Sequence, residues 1–282
     1  MDEGPVSTWS IDPDLRTGMR LQQLRRATAE GSWEEVILES EELLDETPDH
    51  PEALFLLGEA LLEVGDWELA RAAYQRRVEV DGGDAASTLG LAISTFHCCD
   101  VVEAAELARE AVRLRPDDAE SHHVLALALE RLPGRQTEAT AEFLAAARME
   151  PQRYPLPLVL KHPEWEIAIS RALEALAPEV RRFYGRVPFR IEELPDLGEL
   201  RSHEPPLSPV VPTMIEGTPD PDLDPAAVAS LEELGYPATI RLFARNLCRA
   251  GSVDRMVEDL AAALQDEAFD WWGIAPEELQ GT

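Results

Sequence analysis

The chain has 282 residues, of which 45% are apolar and 28% are charged. This length suits about two domains, and the apolar share is high enough for packed cores, which argues against a chain disordered throughout. Its 25 basic and 55 acidic residues give a net charge of -30, which repels phosphates and anionic lipid headgroups. We therefore expect no nucleic-acid or membrane partner, and we favour a protein partner that offers an apolar or basic segment.

The cysteine content and the N-terminus indicate where the protein acts. Three cysteines, Cys98, Cys99 and Cys248, are too few for a disulfide framework and favour a reducing compartment. The chain begins MDEGPVSTWS, which has neither a basic start nor an apolar run. No stretch approaches the ~20 consecutive apolar residues of a membrane helix. We expect a soluble, cytoplasmic protein.

After a predicted N-terminal tail at residues 1–16, a fixed period organises the chain. Pro48, Gly82, Pro116 and Pro151 follow one another at intervals of 34, 34 and 35 residues. Each occupies a position where a helix is expected to stop, and a period of this length is typical of stacked helical hairpins. We place four units at residues 17–50, 51–84, 85–118 and 119–152.

The second unit carries the clearest motif, PEALFLLGEALLEVGDWELARAAYQRRVEVD. Its key residues are apolar, small or aromatic: Leu54, Leu57, Gly58, Leu61, Gly65, Ala70 and Tyr74. This pattern resembles the tetratricopeptide repeat family, which implies an α-helical solenoid, a right-handed superhelix with a concave face. Each hairpin has an apolar face that it cannot bury alone, so neighbouring units must stack. Gly58 permits close approach of two helices, and Gly65 supplies the turn between them.

The register of the family indicates which side chains line the concave face. The predicted partner-binding residues are Phe55, Glu59, Leu62, Leu89, Ile93, Phe96, His97, His123 and Leu127, with Arg25 from the first unit. A largely apolar groove with scattered acids suits a helix or extended segment that carries Leu, Phe or Arg. Alternatively, the groove is filled by the chain's own Pro-rich joint, residues 153–165.

Residues 166–282 are predicted to form a small α+β domain. The apolar periodicity indicates, in chain order, a helix over 166–185, a strand over 187–194, a Pro-rich loop over 195–212, a short apolar segment over 213–219, an acidic loop over 220–228, a strand over 238–247 and a helix over 252–272 that Ser252 caps.

Five short motifs in this domain resemble the minimal zincin-like metallopeptidases of bacteria. They occur in the order of that family and read ALEALAPEV, FRIEELP, TMIEGTP, TIRLFARNL and DEAFDWWGIAPEEL. The HExxH motif of the family is degenerate here: Asp266 and Asp270 replace its two histidines, and Glu267 is retained. A hydrolytic zinc site needs neutral imidazole ligands to keep the metal acidic, and carboxylates weaken that acidity.

We therefore interpret the chain as a non-enzymatic scaffold, a pseudoenzyme that needs no cofactor or metal. The tetratricopeptide groove would bind a partner peptide or helix, and the degenerate domain would be a second docking module. The alternative is a metal-dependent peptidase in which Asp266 and Asp270 bind the metal and Glu267 acts as general base. Other catalytic motifs, such as a Gly-rich phosphate loop or a nucleophile elbow, do not occur.

Overall fold

In a computed structural model, the described residues are 13–184, 187–216 and 239–272. They fall into two compact units that divide between Ala139 and Thr140. The acidic loop predicted at residues 220–228 lies outside the described residues.

The first unit is built from the predicted helical hairpins, each with a first helix (A) and a second helix (B). The hairpins are α1 (Pro13–Glu30) with α2 (Trp33–Glu46), α3 (Pro51–Val64) with α4 (Trp67–Asp81), α5 (Ala85–His97) with α6 (Val101–Leu114), and α7 (Ala119–Glu130) with α8 (Gln136–Met149), the last of which continues into the second unit. The helical solenoid is thus confirmed. Residues 13–16, predicted as the end of the tail, belong to α1.

The turns of the first unit repeat one local design. Gly65 ends α3 at φ 83°, a left-handed conformation that glycine adopts without steric cost. In the third hairpin, Cys99 occupies the equivalent place at φ 65°. Asp66, Asp84 and Asp118 then start α4, α5 and α7, because each side chain accepts a hydrogen bond from a backbone N–H three residues later.

Stacking of the hairpins places the A helices side by side. Each B helix of the first three hairpins packs against the next A helix, and α1, α3, α5 and α7 also contact one another in turn. The inner side of a curved stack has the shorter arc, so helices that touch their counterparts in neighbouring repeats lie on that side. The A helices therefore form the inner surface of the first unit.

The second unit contains a three-stranded sheet among helices. Its elements are α9 (His162–Ala175), α10 (Pro178–Tyr184), β1 (Phe189–Glu192), α11 (Leu197–Arg201), β2 (Thr213–Glu216), β3 (Thr239–Phe243), α12 (Ala244–Leu247), a 3-10 turn (Cys248–Ala250) and α13 (Val253–Trp272). The strand order is β1-β3-β2, with β3 parallel to β1 and antiparallel to β2. The predicted α+β class is confirmed, and Ser252 caps α13 by accepting a hydrogen bond from the N–H of Arg255 at 3.2 Å.

Two predicted elements of this unit end earlier than expected. The helix over 166–185 is two helices, because Pro178 lacks an N–H and begins α10 as a new helix. The strand over 238–247 stops at Phe243, and residues 244–247 form α12. There the side chain of Asn246 donates hydrogen bonds to the carbonyls of Pro209 and Val211, which fixes the chain as it leaves the sheet.

Two further elements were not predicted. The Pro-rich loop over 195–212 contains α11, which Asp196 caps by accepting a hydrogen bond from the N–H of Glu199. Residues 213–216, predicted only as a short apolar segment, form strand β2 and pair with β3. A run of four residues is too short to show the alternation that identifies a strand.

The Pro-rich joint belongs to the second unit. Leu158 and Leu160 pack against its core, and the N–H of Leu158 donates a hydrogen bond to the carbonyl of Cys248 at 2.7 Å. Residues 162–165, predicted as the end of the joint, already belong to α9.

Candidate protein-binding surface

Most of the predicted groove residues are half-buried on successive A helices. We call the following set the groove residues: Phe55, Glu59 and Leu62 on α3, Leu89, Ile93 and His97 on α5, and His123 on α7. Residues four apart lie on the same face of a helix, so Leu89, Ile93 and His97 form one stripe along α5. Helix α5 contacts both α3 and α7, which brings the three sets together.

Phe96 and Leu127 do not belong to this surface. Their exposed fractions are 1% and 8%, which is too little for contact with a partner. The ring of Phe96 instead packs against the guanidinium of Arg131, 5.0 Å from the ring centroid. This corrects their assignment to the groove.

Arg25 is engaged within the first unit. Its guanidinium donates two hydrogen bonds to the carboxylate of Glu52, at 2.5 and 2.8 Å. The groove residues themselves include no arginine or lysine, in keeping with a face suited to an apolar or basic partner.

His97 is held between aromatic rings at the end of α5. Its imidazole stacks on Trp67, with ring centroids 4.0 Å apart and planes 15° apart, and meets Phe96 edge to face at 5.5 Å. Burial, followed by the nearby charge of Arg131, lowers the pKa of His97 from 6.5 to about 4. The ring is therefore neutral at pH 7.

We expect His97 to make the first unit less stable in acid. Between pH 6.5 and 4 the imidazole of His97 binds a proton in the unfolded chain but not in the folded chain. The stability that the neutral ring contributes is therefore complete above pH 6.5 and is lost as the pH falls towards 4. The expected loss of unfolding free energy at pH 4 is about 3 kcal/mol. Denaturant unfolding of the wild type and of His97→Gln measures it: the difference in unfolding free energy between them should shrink on acidification.

His162→Gln is the matched control for that titration. The side chain of His162 is 81% exposed, so its replacement shows what the loss of a surface imidazole does to the unfolding free energy. If His97→Gln behaves in the same way as His162→Gln, the burial of a neutral His97 is contradicted.

Tyr74 explains why glycines occur at two positions of the A helices. Its ring, on α4, lies between Gly58 on α3 and Gly90 on α5. A Cβ atom would lie 2.8 Å from Cζ of Tyr74 at position 58 and 2.3 Å from it at position 90. The sequence predicts a close approach at Gly58, and the approaching group is this aromatic ring rather than a helix backbone.

Asp266, Glu267 and Asp270, the residues compared above with the metallopeptidase motif, lie on α13. Asp266 is exposed, and the carboxylate of Glu267 accepts a hydrogen bond from the hydroxyl of Thr213 on β2 at 2.8 Å. The side chain of Asp270 lies outside the described part of the chain. Within residues 13–184, 187–216 and 239–272, no group of three His, Cys, Asp or Glu side chains could hold a metal ion. The peptidase alternative therefore gains no support from the described residues.

The repeat region is similar to known proteins. Residues 27–92 match the family model of the tetratricopeptide repeat. The structure of YrrB, a TPR protein with an unusual peptide-binding site, shares 14% identity and aligns over 47% of this chain and 68% of its own, with a TM-score of 0.43. MamA shares 19% identity over 45% of this chain and 73% of its own, with a TM-score of 0.41. No curated protein matches the chain.

A further structure, MamA residues 41 to the end from Desulfovibrio magneticus RS-1, shares 19% identity over 49% of this chain and 77% of its own, with a TM-score of 0.44. No helix in the described part of the chain is long and apolar enough to cross a membrane. Residues 27–92 thus match the tetratricopeptide repeat, and the described residues of the second unit form a small α+β fold.

Proposed function

We propose that this protein is a non-enzymatic scaffold that binds an extended or helical segment of a partner protein on the groove residues. The observation that supports this most is the row of half-buried apolar side chains on successive A helices. Phe55 and Leu62 on α3 and Leu89 and Ile93 on α5 remain partly open to solvent. Covering such surface gains about 25 cal/mol for each Å² removed from water.

The proposal includes the domain organisation and the location. The helical hairpins from α1 to residue 152 form the binding superhelix, residues 153–161 are the joint, and the residues from α9 onwards are a second docking module without catalytic activity. The second unit does expose apolar side chains on the joint: Val159 is 94% exposed and Leu156 is 50% exposed. The cysteine usage favours the cytoplasm as the compartment.

The groove is tested with short peptides selected from a random display library against the full chain. Their affinities are then measured by fluorescence anisotropy for the wild type, Ile93→Asp and Val102→Asp. Val102, on α6, is 61% exposed and is the matched control away from the A helices. We expect Ile93→Asp to weaken binding by about tenfold or more, because a carboxylate would be buried against apolar side chains.

Val102→Asp should leave the affinity unchanged, and both variants should keep the circular dichroism spectrum of the wild type. Two results contradict the proposal: no peptide is selected, or the peptides bind the Ile93 and Val102 variants equally well.

A further inference from the structure

Strand β1 lies at an edge of the sheet in the second unit. Within the described residues the strand that pairs with it is β3, and β2 lies on the far side of β3. The carbonyl of Pro188 accepts a hydrogen bond from the N–H of Ile240 on β3 at 3.0 Å. Successive residues of a strand direct their backbone groups to opposite sides, so those of Phe189 and Ile191 point away from β3. Such an edge is a template for pairing with another strand.

The side chains of β1 divide between the two faces of the sheet. Phe189 and Ile191 pack against the core of the second unit. Arg190 and Glu192 alternate with them and therefore lie on the opposite face. The Arg190 side chain is 55% exposed. The open edge thus carries one positive and one negative side chain, two positions apart and on the same face.

Both charges already have partners within the chain. The guanidinium of Arg190 contacts the carboxylate of Glu216 on β2 at 3.0 Å, and that of Arg241 on β3 contacts Glu192 at 2.9 Å. The pair of Arg190 with Glu216 is exposed on both sides, and such pairs contribute little to stability. Arg190 can therefore turn to a carboxylate beyond the edge at little cost, while Glu192 keeps its bond to Arg241.

We propose that β1 pairs with β1 of a second copy of this chain, antiparallel and centred on Ile191. In this register Ile191 lies opposite its own counterpart, and the two residues exchange N–H···O=C hydrogen bonds. Arg190 of each copy then lies opposite Glu192 of the other copy. The described strands of the two copies would form one continuous sheet. This interaction goes beyond the proposed function and does not depend on the groove residues.

The charges of β1 favour this register over its alternatives. A parallel pair in the same register would set Arg190 opposite Arg190 and Glu192 opposite Glu192. An antiparallel pair that is shifted by two residues would set one of these like-charge pairs face to face. Opposite charges at directly opposed positions stabilise a sheet, whereas like charges destabilise it. The self-complementary order of the charges therefore indicates a second copy of this chain as the occupant of the edge.

The test combines sedimentation velocity with hydrogen exchange of the Ile191 amide, both on the full chain over a range of concentrations. We expect a reversible equilibrium between monomer and dimer, because a pair of short strands forms a small interface. The Ile191 amide should exchange rapidly in dilute protein, since its N–H is then open to water. It should become protected in step with the formation of the dimer.

Two substitutions test the register. Arg190→Glu should weaken the dimer by about tenfold or more, because it sets two like-charge pairs across the edge. Ile191→Pro removes the outward N–H but no bond to β3, and it should abolish the dimer. Circular dichroism and thermal unfolding check that each variant is folded.

Arg255→Glu is the matched control for net charge. Arg255 lies on α13, is 65% exposed and pairs with Asp259 at 3.0 Å. Its replacement changes the charge of the protein as Arg190→Glu does, and the dimerisation constant should stay almost unchanged.

Four results would overturn the proposal. The first is a protein that stays monomeric at every concentration. The second is an Ile191 amide that is protected even in dilute protein, which would show that another segment of the same chain pairs with β1. The third is a dimer that Arg190→Glu does not weaken, which would place the interface elsewhere. The fourth is an equal loss in Arg190→Glu and Arg255→Glu, which would show an effect of net charge alone.

Discussion

Replacement of Gly90 by alanine is expected to destabilise the first unit by about 1–3 kcal/mol or more, the range for overpacked cores. The new methyl group would lie 2.3 Å from Cζ of Tyr74, far inside van der Waals contact. The ring cannot move easily, since Gly58 lies against it on the other side. Either α5 separates from α4 or Tyr74 leaves its site.

Gly18→Ala is the control for this substitution. Gly18 is also in a helix, but no atom lies within 4 Å of the Cβ position, so alanine should stabilise α1 by about 0.5–1 kcal/mol. Thermal and denaturant unfolding measure both variants. In the background of Tyr74→Leu, which removes the ring, Gly90→Ala should cost clearly less. Equal effects of the two glycine substitutions would contradict the packing of Tyr74 between the A helices.

Replacement of Arg241 by methionine is expected to lower the free energy of unfolding of the second unit. From β3, its guanidinium donates to Glu192 on β1 at 2.9 Å and to Glu199 on α11 at 2.7 Å. The pKa of Arg241 is raised, chiefly by the hydrogen bond to Glu192, so the arginine stays charged. Its removal takes the nearest counterion from both carboxylates, and Glu192 keeps only the longer contact with Arg190 at 3.9 Å.

The cost should be about 2–3 kcal/mol, below that of a fully buried pair because the Glu199 side chain is 37% exposed. Arg245→Met is the control, because that arginine pairs with Glu193 on the surface and should matter by less than about 1 kcal/mol. Urea unfolding compares the two variants. If both lose the same amount, Arg241 does not join the sheet to α11 as described.

The repeat architecture could be predicted because its causes are local. Helix-stopping residues such as Gly65 and Pro116 recur at a fixed interval, and each needs only its own backbone conformation to act. The exposure of a side chain within the repeat depends on neighbours instead. Ile93 and Leu127 occupy equivalent positions of consecutive hairpins, yet Ile93 is half-buried and Leu127 is buried.

The same limit explains why the sequence does not reveal the place of Tyr74 in the candidate site. Tyr74 belongs to a B helix, so the register of the A helices does not place it on the inner surface. Only the stacking of α3 on α5 brings Gly58 and Gly90 to either side of its ring. Phe96 was misplaced because adjacent helical positions differ by about 100° in direction, and the side chain faces the interior while that of its neighbour His97 lies at the edge.

The binding role of the A helices is tested most directly by chemical-shift mapping of methyl groups during titration with a selected peptide. The account predicts saturable shifts for Leu62, Leu89 and Ile93, and none for Leu69 and Val102, which are exposed on B helices. Shifts confined to Leu69 and Val102 would contradict it.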